Sequence, residues 1–159
     1  MINKKADLLN NVLTSVIAVI GLALILFAAW KLYSTYVNQE DKNAQHLIDS
    51  IVGKIDTLED GQNNTFVFAG FTSSKSDGWI IQSWSTTAPR PDKCYFKNCI
   101  CICPNGGGPD IILANCQEKG FCRLFDRSVY IDTFSVPSNL FELKIDKRKA
   151  PSDIIISKI

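Results

Sequence analysis

Six cysteines are the residues of this chain whose type and spacing could do chemistry, and all of them lie between residues 94 and 122. Thiols at such density either pair as disulfides or bind a soft metal ion. A redox enzyme would need a Cys-x-x-Cys pair at the start of a helix, where the helix dipole lowers a thiol pKa, and the sequence has no such pair. The six residues are Cys94, Cys99, Cys101, Cys103, Cys116 and Cys122.

Three of these cysteines alternate with isoleucine in the run from Cys99 to Cys103. Because successive side chains of a strand point to opposite faces, a strand here would place the three sulfurs on one face and the two isoleucines on the other. Ligands spread along one line suit a tetrahedral ion poorly. We expect three disulfides, mainly because the charges considered below favour a location of this domain outside the cytoplasm, where disulfides persist. The sequence leaves their pairing open. A metal-binding or thiol-redox protein that uses residues 94–122 is the alternative function.

The N-terminal part of the chain has a different composition, since 23 consecutive residues, from Leu8 to Trp30, carry no charge. At ~1.5 Å per residue a helix of this length reaches about 34 Å, enough to cross the ~30 Å hydrocarbon core of a bilayer. A cleaved signal peptide, whose apolar region is usually about 7–15 residues long, fits this segment less well. We expect residues 1–30 to be a transmembrane anchor that contacts the lipid bilayer through residues 8–30.

The charges beside this segment predict its orientation. Lys4 and Lys5 precede it, and only Lys31 follows it closely. Positive charge near a membrane span favours the cytoplasmic side. The N-terminus is therefore expected in the cytoplasm and the C-terminal domain outside it, in a compartment where disulfides persist.

Residues 31–60 are predicted to continue the helix as an amphipathic spacer, because apolar residues recur there at steps of three and four. Gly61 provides a natural end to this helix. We expect the apolar stripe to be buried either against the β domain of the same chain or against neighbouring copies of the helix in a coiled coil or filament. The stripe consists of Val37, Ala44, Ile48, Ile51, Ile55 and Leu58.

Residues 61–159 are rich in β-branched and aromatic runs separated by turn residues, which is typical of strands. Residues 65–71 and 79–84 are predicted to pair as a hairpin. Further strands are predicted at residues 95–103, 110–114, 121–125, 128–136, 140–145 and 153–159, in an antiparallel meander. The predicted fold class is α+β: a long N-terminal helix, half transmembrane and half amphipathic, followed by a small antiparallel β domain stapled by disulfides.

Nothing in the sequence indicates catalysis or nucleic-acid binding. The formal net charge is +1, so the chain offers no basic footprint for nucleic acid. Its single histidine, His46, falls on the predicted amphipathic helix, and a Gly-x-Ser-x-Gly motif is absent. We therefore expect a protein that is not an enzyme and uses no cofactor. Asn63, in the sequence Asn-Asn-Thr, is a glycosylation candidate.

An apolar helix half, an amphipathic helix half and a disulfide-closed β head occur in this order in type IV pilins and in the pseudopilins of secretion systems, which this layout resembles. Asp7 stands as an acidic residue near the start of the apolar run, while the glycine of the pilin processing motif is absent. The resemblance implies an extracytoplasmic filament or envelope-complex subunit that binds other copies of itself or another envelope protein. The head is also similar to membrane-anchored, cysteine-rich proteins of small-genome archaea, which implies no activity.

Overall fold

The computed structural model describes residues 3–73, 78–86, 89–148 and 153–159, with side chains from Thr14 onward apart from that of Val37. The chain divides into two compact units, residues 1–39 and residues 40–159. A single α-helix, α1 (Asn3–Thr57), occupies the first unit and provides the first element of the second.

The first unit is helix, and its large apolar side chains from Val16 onward are exposed where the structure describes them. Large apolar side chains are exposed along it, for example Ile25 by 67% and Leu32 by 74%. A helix that is apolar all round requires an apolar environment. Among the described helices, α1 is the one long and apolar enough to cross a membrane.

In the second unit, α1 has one apolar face, and this face is buried. Ala44, Ile48 and Ile51 have no exposed surface, and Ile55 is 1% exposed. The predicted stripe is therefore covered by the chain's own β domain from Ala44 through Leu58, whereas the side chain of Val37 lies outside the described residues. This part of the stripe is not free to meet another subunit.

The end of α1 is held by a basic side chain. Lys147 Nζ donates hydrogen bonds to the carbonyl oxygens of Ile55 and Leu58, at 3.3 and 2.7 Å. The last carbonyls of a helix lack partners within the helix, and a cation there also offsets the helix dipole. Gly61 follows with a φ of 93°, in the left-handed region that glycine adopts without strain.

Two four-stranded sheets follow α1 in this unit. Their strands are β1 (Gln62–Ala69), β2 (Trp79–Trp84), β3 (Asn98–Pro104), β4 (Phe121–Phe125), β5 (Val129–Ile131), β6 (Phe134–Ser135), β7 (Leu140–Lys147) and β8 (Ile154–Lys158). The first sheet has the strand order β1-β7-β8-β5, and the second has the order β4-β3-β2-β6. A short 3-10 helix (Asp92–Cys94) precedes β3, and an α-helix, α2 (Pro109–Lys119), follows it.

Both sheets contribute to one apolar core with the stripe of α1. Ile81 and Ile102 of the second sheet and Leu143 and Ile145 of the first are fully buried in it. At the edge of this core, the guanidinium of Arg123 on β4 forms an ion pair with Asp49 on α1. The predicted α+β class, with a long N-terminal helix and a disulfide-stapled β domain, is confirmed.

The predicted hairpin between residues 65–71 and 79–84 is wrong. These residues form β1 and β2, which lie in different sheets: β1 pairs with β7, and β2 pairs with β3 and β6. Beyond β1, the amide of Gly70 donates to Asn139 O at 3.0 Å and that of Phe71 to Pro137 O at 3.1 Å. A side chain at Gly70 would overlap the Pro137 carbonyl. Gly70 and Phe71 therefore remain paired with the segment before β7 instead of starting a hairpin turn toward β2.

The predicted strand at residues 110–114 is also wrong, because this segment lies in helix α2. Pro109 occupies its first turn, where a missing N–H costs nothing. The branched run Ile111-Ile112-Leu113 suits a strand by propensity, but on a helix it places Ile112 and Leu113 against buried cysteines. Packing thus overrides propensity here.

The expected antiparallel meander needs two corrections. The strands form two sheets rather than one, and β5 pairs with β8 in parallel. The predicted strand at residues 128–136 is split into β5 and β6, and that at residues 95–103 begins only at Asn98. By contrast, β7 and β8 pair antiparallel, as expected of neighbouring strands in a meander.

Candidate functional site: the cysteine cluster

All six cysteines are joined in three disulfides, as the sequence predicts. The pairs are Cys94–Cys99, Cys101–Cys122 and Cys103–Cys116, with Cα–Cα distances of 5.7, 4.1 and 4.9 Å. No free cysteine is left.

Strand β3 places its three sulfurs on one face of the second sheet, also as predicted. Cys101 lies directly opposite Cys122 of β4, so their disulfide joins neighbouring strands. Ile100 and Ile102 lie on the other face, within the core that contains α1. The alternation of cysteine and isoleucine therefore separates a sulfur cluster from an apolar core.

Helix α2 covers part of the sulfur face and is tied to it through Cys116. At the end of α2, a Cβ on Gly120 would lie 2.8 Å from Cys103 Sγ and 2.6 Å from Cys116 O. Only glycine allows the chain to pass this closely to the disulfide. On the other side, Asn115 Nδ2 donates to Pro104 O at 3.1 Å.

The short 3-10 helix is attached to α2 by polar contacts. Gln117 Nε2 donates to Asp92 Oδ2 at 2.6 Å, and Lys93 Nζ donates to the carbonyls of Glu118 and Gly120 at 3.4 and 2.9 Å. These bonds hold the short 3-10 helix in place and therefore fix the position of Cys94, its last residue. Cys94 is thereby held over the sulfur face of β3.

Two of the three disulfides are in contact. Cys101 Sγ lies 3.9 Å from Cys94 Sγ and 3.9 Å from Cys99 Sγ, and these three sulfurs lie within 4.8 Å of one another. Five cysteines are fully buried, and Cys122 is half-buried. These three sulfurs come together because Cys94, which lies outside the strand, folds back over β3.

The turn that brings Cys94 back exposes two aromatic side chains. Tyr95 and Phe96 have φ angles of 42° and 63°, and their exposed fractions are 74% and 87%. Non-glycine residues rarely adopt this left-handed conformation. The Arg90 guanidinium lies 5.3 Å from the centre of the Phe96 ring. Sequence patterns give no sign of this turn, since neither residue is a glycine or an asparagine.

Adjacent residues after β4 form ion pairs with different parts of the head. Arg127 donates to both carboxylate oxygens of Asp60, at 2.8 and 3.2 Å, and its hydrogen bond and charge, with a smaller contribution from Lys147, lower the pKa of Asp60. Lys97 Nζ lies 2.6 Å from Asp126 Oδ1 and lowers the pKa of that carboxyl by its hydrogen bond and its charge.

The remaining predicted positions lie away from the sulfur cluster. Asn63 is exposed in β1, at the edge of the first sheet. His46 is exposed on α1 and lines a surface groove with Lys54 and Val67. The structure brings neither residue to the cysteines.

Comparison with known proteins adds no assignment: no family model, no curated protein and no solved structure matches this chain.

Proposed function

We propose that this chain is a single-pass, extracytoplasmic structural or interaction protein: a membrane anchor that carries a disulfide-closed head and acts by contact rather than by catalysis. The observation that carries this proposal is the contrast between the two units. The first is a helix with exposed apolar side chains, and the second has every cysteine in a disulfide. Lipid suits the first, and an oxidising compartment suits the second.

The proposal includes an orientation, with the N-terminus in the cytoplasm. Lys4 and Lys5 support it through the preference of positive charge for the cytoplasmic side. The disulfides support the same orientation independently, because thiols in the cytosol are kept reduced.

Within this class, a filament or envelope-complex subunit is the more specific form of the proposal. The stripe from Ala44 to Leu58 packs on the chain's own sheets, so a filament would have to form through other surfaces. The exposed apolar side chains of α1 in the first unit are one such surface. Electron microscopy of cell envelopes distinguishes filaments from dispersed anchored heads.

The membrane part is tested by alkaline extraction of membranes that contain the full chain. Leu22→Arg/Ile25→Arg adds two charges to the apolar helix, each costing roughly 2.5–3.5 kcal/mol at a bilayer centre. We expect the native chain to stay in the membrane pellet and this variant to be released. Leu140→Arg/Ile159→Arg is the matched control, because both of its positions are 68% exposed in the head. Native protein in the soluble fraction would overturn the proposal.

The compartment is tested by alkylating free thiols in intact cells before lysis. Six cysteines that react only after reduction agree with an extracytoplasmic head. Cysteines that react without reduction place the head in the cytosol and contradict the orientation.

A further inference from the structure

The contact between two disulfides has a geometry that disulfide bonding does not require. Cys101 Sγ is equally distant, at 3.9 Å, from both sulfurs of the Cys94–Cys99 pair. Cys101 is itself bonded to Cys122, so the two disulfides in contact contain four sulfurs. Cys122 lies outside the group of three close sulfurs but is bonded to one of its members. The third disulfide, Cys103–Cys116, joins β3 to α2 and contributes no sulfur to this group.

The two separations measured from Cys101 match the edges of a tetrahedral thiolate site. Zinc binds four thiolates at ~2.3 Å each, which sets the sulfurs roughly 3.8 Å apart along each edge of the tetrahedron. The two 3.9 Å separations at Cys101 are already edges of this size. Breaking the Cys101–Cys122 and Cys94–Cys99 bonds allows the two sulfurs of each pair to move apart to the same spacing of roughly 3.8 Å.

A second observation in the same cluster points to thiolates. The indole nitrogen of Trp84 is buried and has no hydrogen-bond partner among the described residues. Trp84 lies opposite Cys99 in the β2–β3 register and packs with Cys94 and Cys101. A buried donor without an acceptor is costly. A metal-bound thiolate, which carries negative charge, is a far better acceptor for it than a disulfide sulfur.

We propose that the reduced chain binds one Zn²⁺ through the thiolates of Cys94, Cys99, Cys101 and Cys122, so that the head has two mutually exclusive states, one cross-linked and one metal-bound. The metal-bound state belongs to the reduced chain, which is the form in which any chain is first synthesised. This inference goes beyond the proposed function and does not depend on the membrane anchor.

The conversion balances with a dithiol as reductant. Two dithiol molecules supply four electrons and four protons to the two disulfides, and each dithiol is oxidised to its own disulfide. Half-buried Cys122 offers the accessible sulfur for the first attack, which releases Cys101 as a thiolate. Binding of Zn²⁺ to the four thiols then releases four protons. Metal affinity must therefore fall as pH is lowered.

The test uses the full chain in detergent, reduced with a phosphine, freed of reductant without oxygen and titrated with Co²⁺ and then Zn²⁺. We expect one Co²⁺ per chain, with the absorption bands of tetrahedral thiolate coordination, and its displacement by one Zn²⁺. A reduced chain that gives no such bands overturns the proposal, whether or not the chain is folded before metal is added.

Two double variants show which sulfurs bind the metal. Cys103→Ser/Cys116→Ser retains the four proposed ligands and should keep the spectrum and the stoichiometry. Cys101→Ser/Cys122→Ser and, separately, Cys94→Ser/Cys99→Ser should lose both. Equal losses in all three variants would show unspecific thiol binding and refute the site. Circular dichroism of each variant before metal addition separates ligand loss from failure to fold.

Trp84→Phe tests the role of the indole donor. Loss of a hydrogen bond to a metal ligand weakens affinity by about tenfold to a hundredfold, so we expect Zn²⁺ to bind at the same stoichiometry but about tenfold more weakly. An unchanged affinity removes Trp84 from the site. None of these results bears on alkaline extraction, so failure of the metal site and failure of the membrane anchor remain distinguishable.

Discussion

The two faces of the second sheet are stabilised in different ways, although one strand supplies both. Toward α1, β3 presents Ile100 and Ile102 to a large apolar core that includes both sheets. On its other face it presents Cys99, Cys101 and Cys103 to α2 and the short 3-10 helix. Alternation of two residue types along five positions thus separates a face held by apolar burial from one held by covalent bonds.

The difference follows from how much apolar surface each covering element can bury. The stripe of α1 contributes several fully buried aliphatic side chains. Helix α2 buries only Cys116 completely, while Ile112 and Leu113 are half-buried. So little burial cannot offset the entropy of ordering an eleven-residue helix, and the disulfide therefore has to hold it in place.

The largest expected effect comes from placing a charge on the apolar face. Ile51→Asp puts a carboxylate at a site with no exposed surface, and we expect it to lower the free energy of unfolding of the head by at least about 4 kcal/mol. Ile111→Asp is the matched control on the sulfur side, because Ile111 is 54% exposed in the first turn of α2. An acidic residue is favourable there, so we expect a change below about 1 kcal/mol. Denaturant titration measures both, and comparable losses would erase the contrast between the faces.

Removing the disulfides one at a time measures how much each contributes to the stability of the sulfur face. The sequence separations of the pairs are 21 for Cys101–Cys122, 13 for Cys103–Cys116 and 5 for Cys94–Cys99. Loop-closure entropy then predicts losses of about 3.4, 3.0 and 2.2 kcal/mol when each pair is replaced by alanine. Denaturant titration of the three variants measures this order.

Hydrogen exchange shows where each of these losses occurs. In Cys103→Ala/Cys116→Ala we expect faster exchange throughout α2, with protection retained in β7 and in the buried half of α1. Exchange that rises equally in all of these elements would mean that the sulfur face and the apolar core unfold as one.

Patterns with a fixed period predicted the parts of this fold that depend on one element alone. The stripe of α1 and the two faces of β3 follow directly from helical and strand periodicity. The Cys94–Cys99 disulfide does not, because it depends on Tyr95 and Phe96 turning the chain back, and their side chains carry no turn signal. The short distances from Cys101 Sγ to the sulfurs of Cys94 and Cys99 could not be predicted for the same reason. The other two disulfides depend on the pairing of β3 with β4 and on the position of helix α2.

Strand pairing and helix α2 were missed for two other reasons. Neighbouring strands in sequence usually pair, but β1 pairs with β7, far along the chain, since each buries aromatic or aliphatic side chains against α1. For α2, the branched residues after Asp110 outweighed boundary signals that were present, namely Pro109 at its start and Gly120 after its end. These two boundary residues are the signals in the sequence that indicate helix α2.

The smallest expected effect separates the two ion pairs that follow β4. Asp60 accepts two hydrogen bonds from Arg127, whereas Asp126 is bound by Lys97 through one and is itself 88% exposed. Each carboxyl has its pKa lowered from the ordinary value of 3.8 by its cation. A lowered pKa in the folded state contributes stability that is complete above 3.8 and is lost as pH falls below it.

Asp60→Asn should therefore reduce stability slightly at neutral pH, and its difference from the native chain should vanish in acid. Asp126→Asn should change less, because an exposed single-bond pair is screened by solvent. Urea titrations of both variants at a series of pH values measure this. Since Asp60 follows α1 and Lys97 lies in the disulfide-closed turn, a larger effect at Asp126 would mean that electrostatics stabilise the sulfur face more than the helix face.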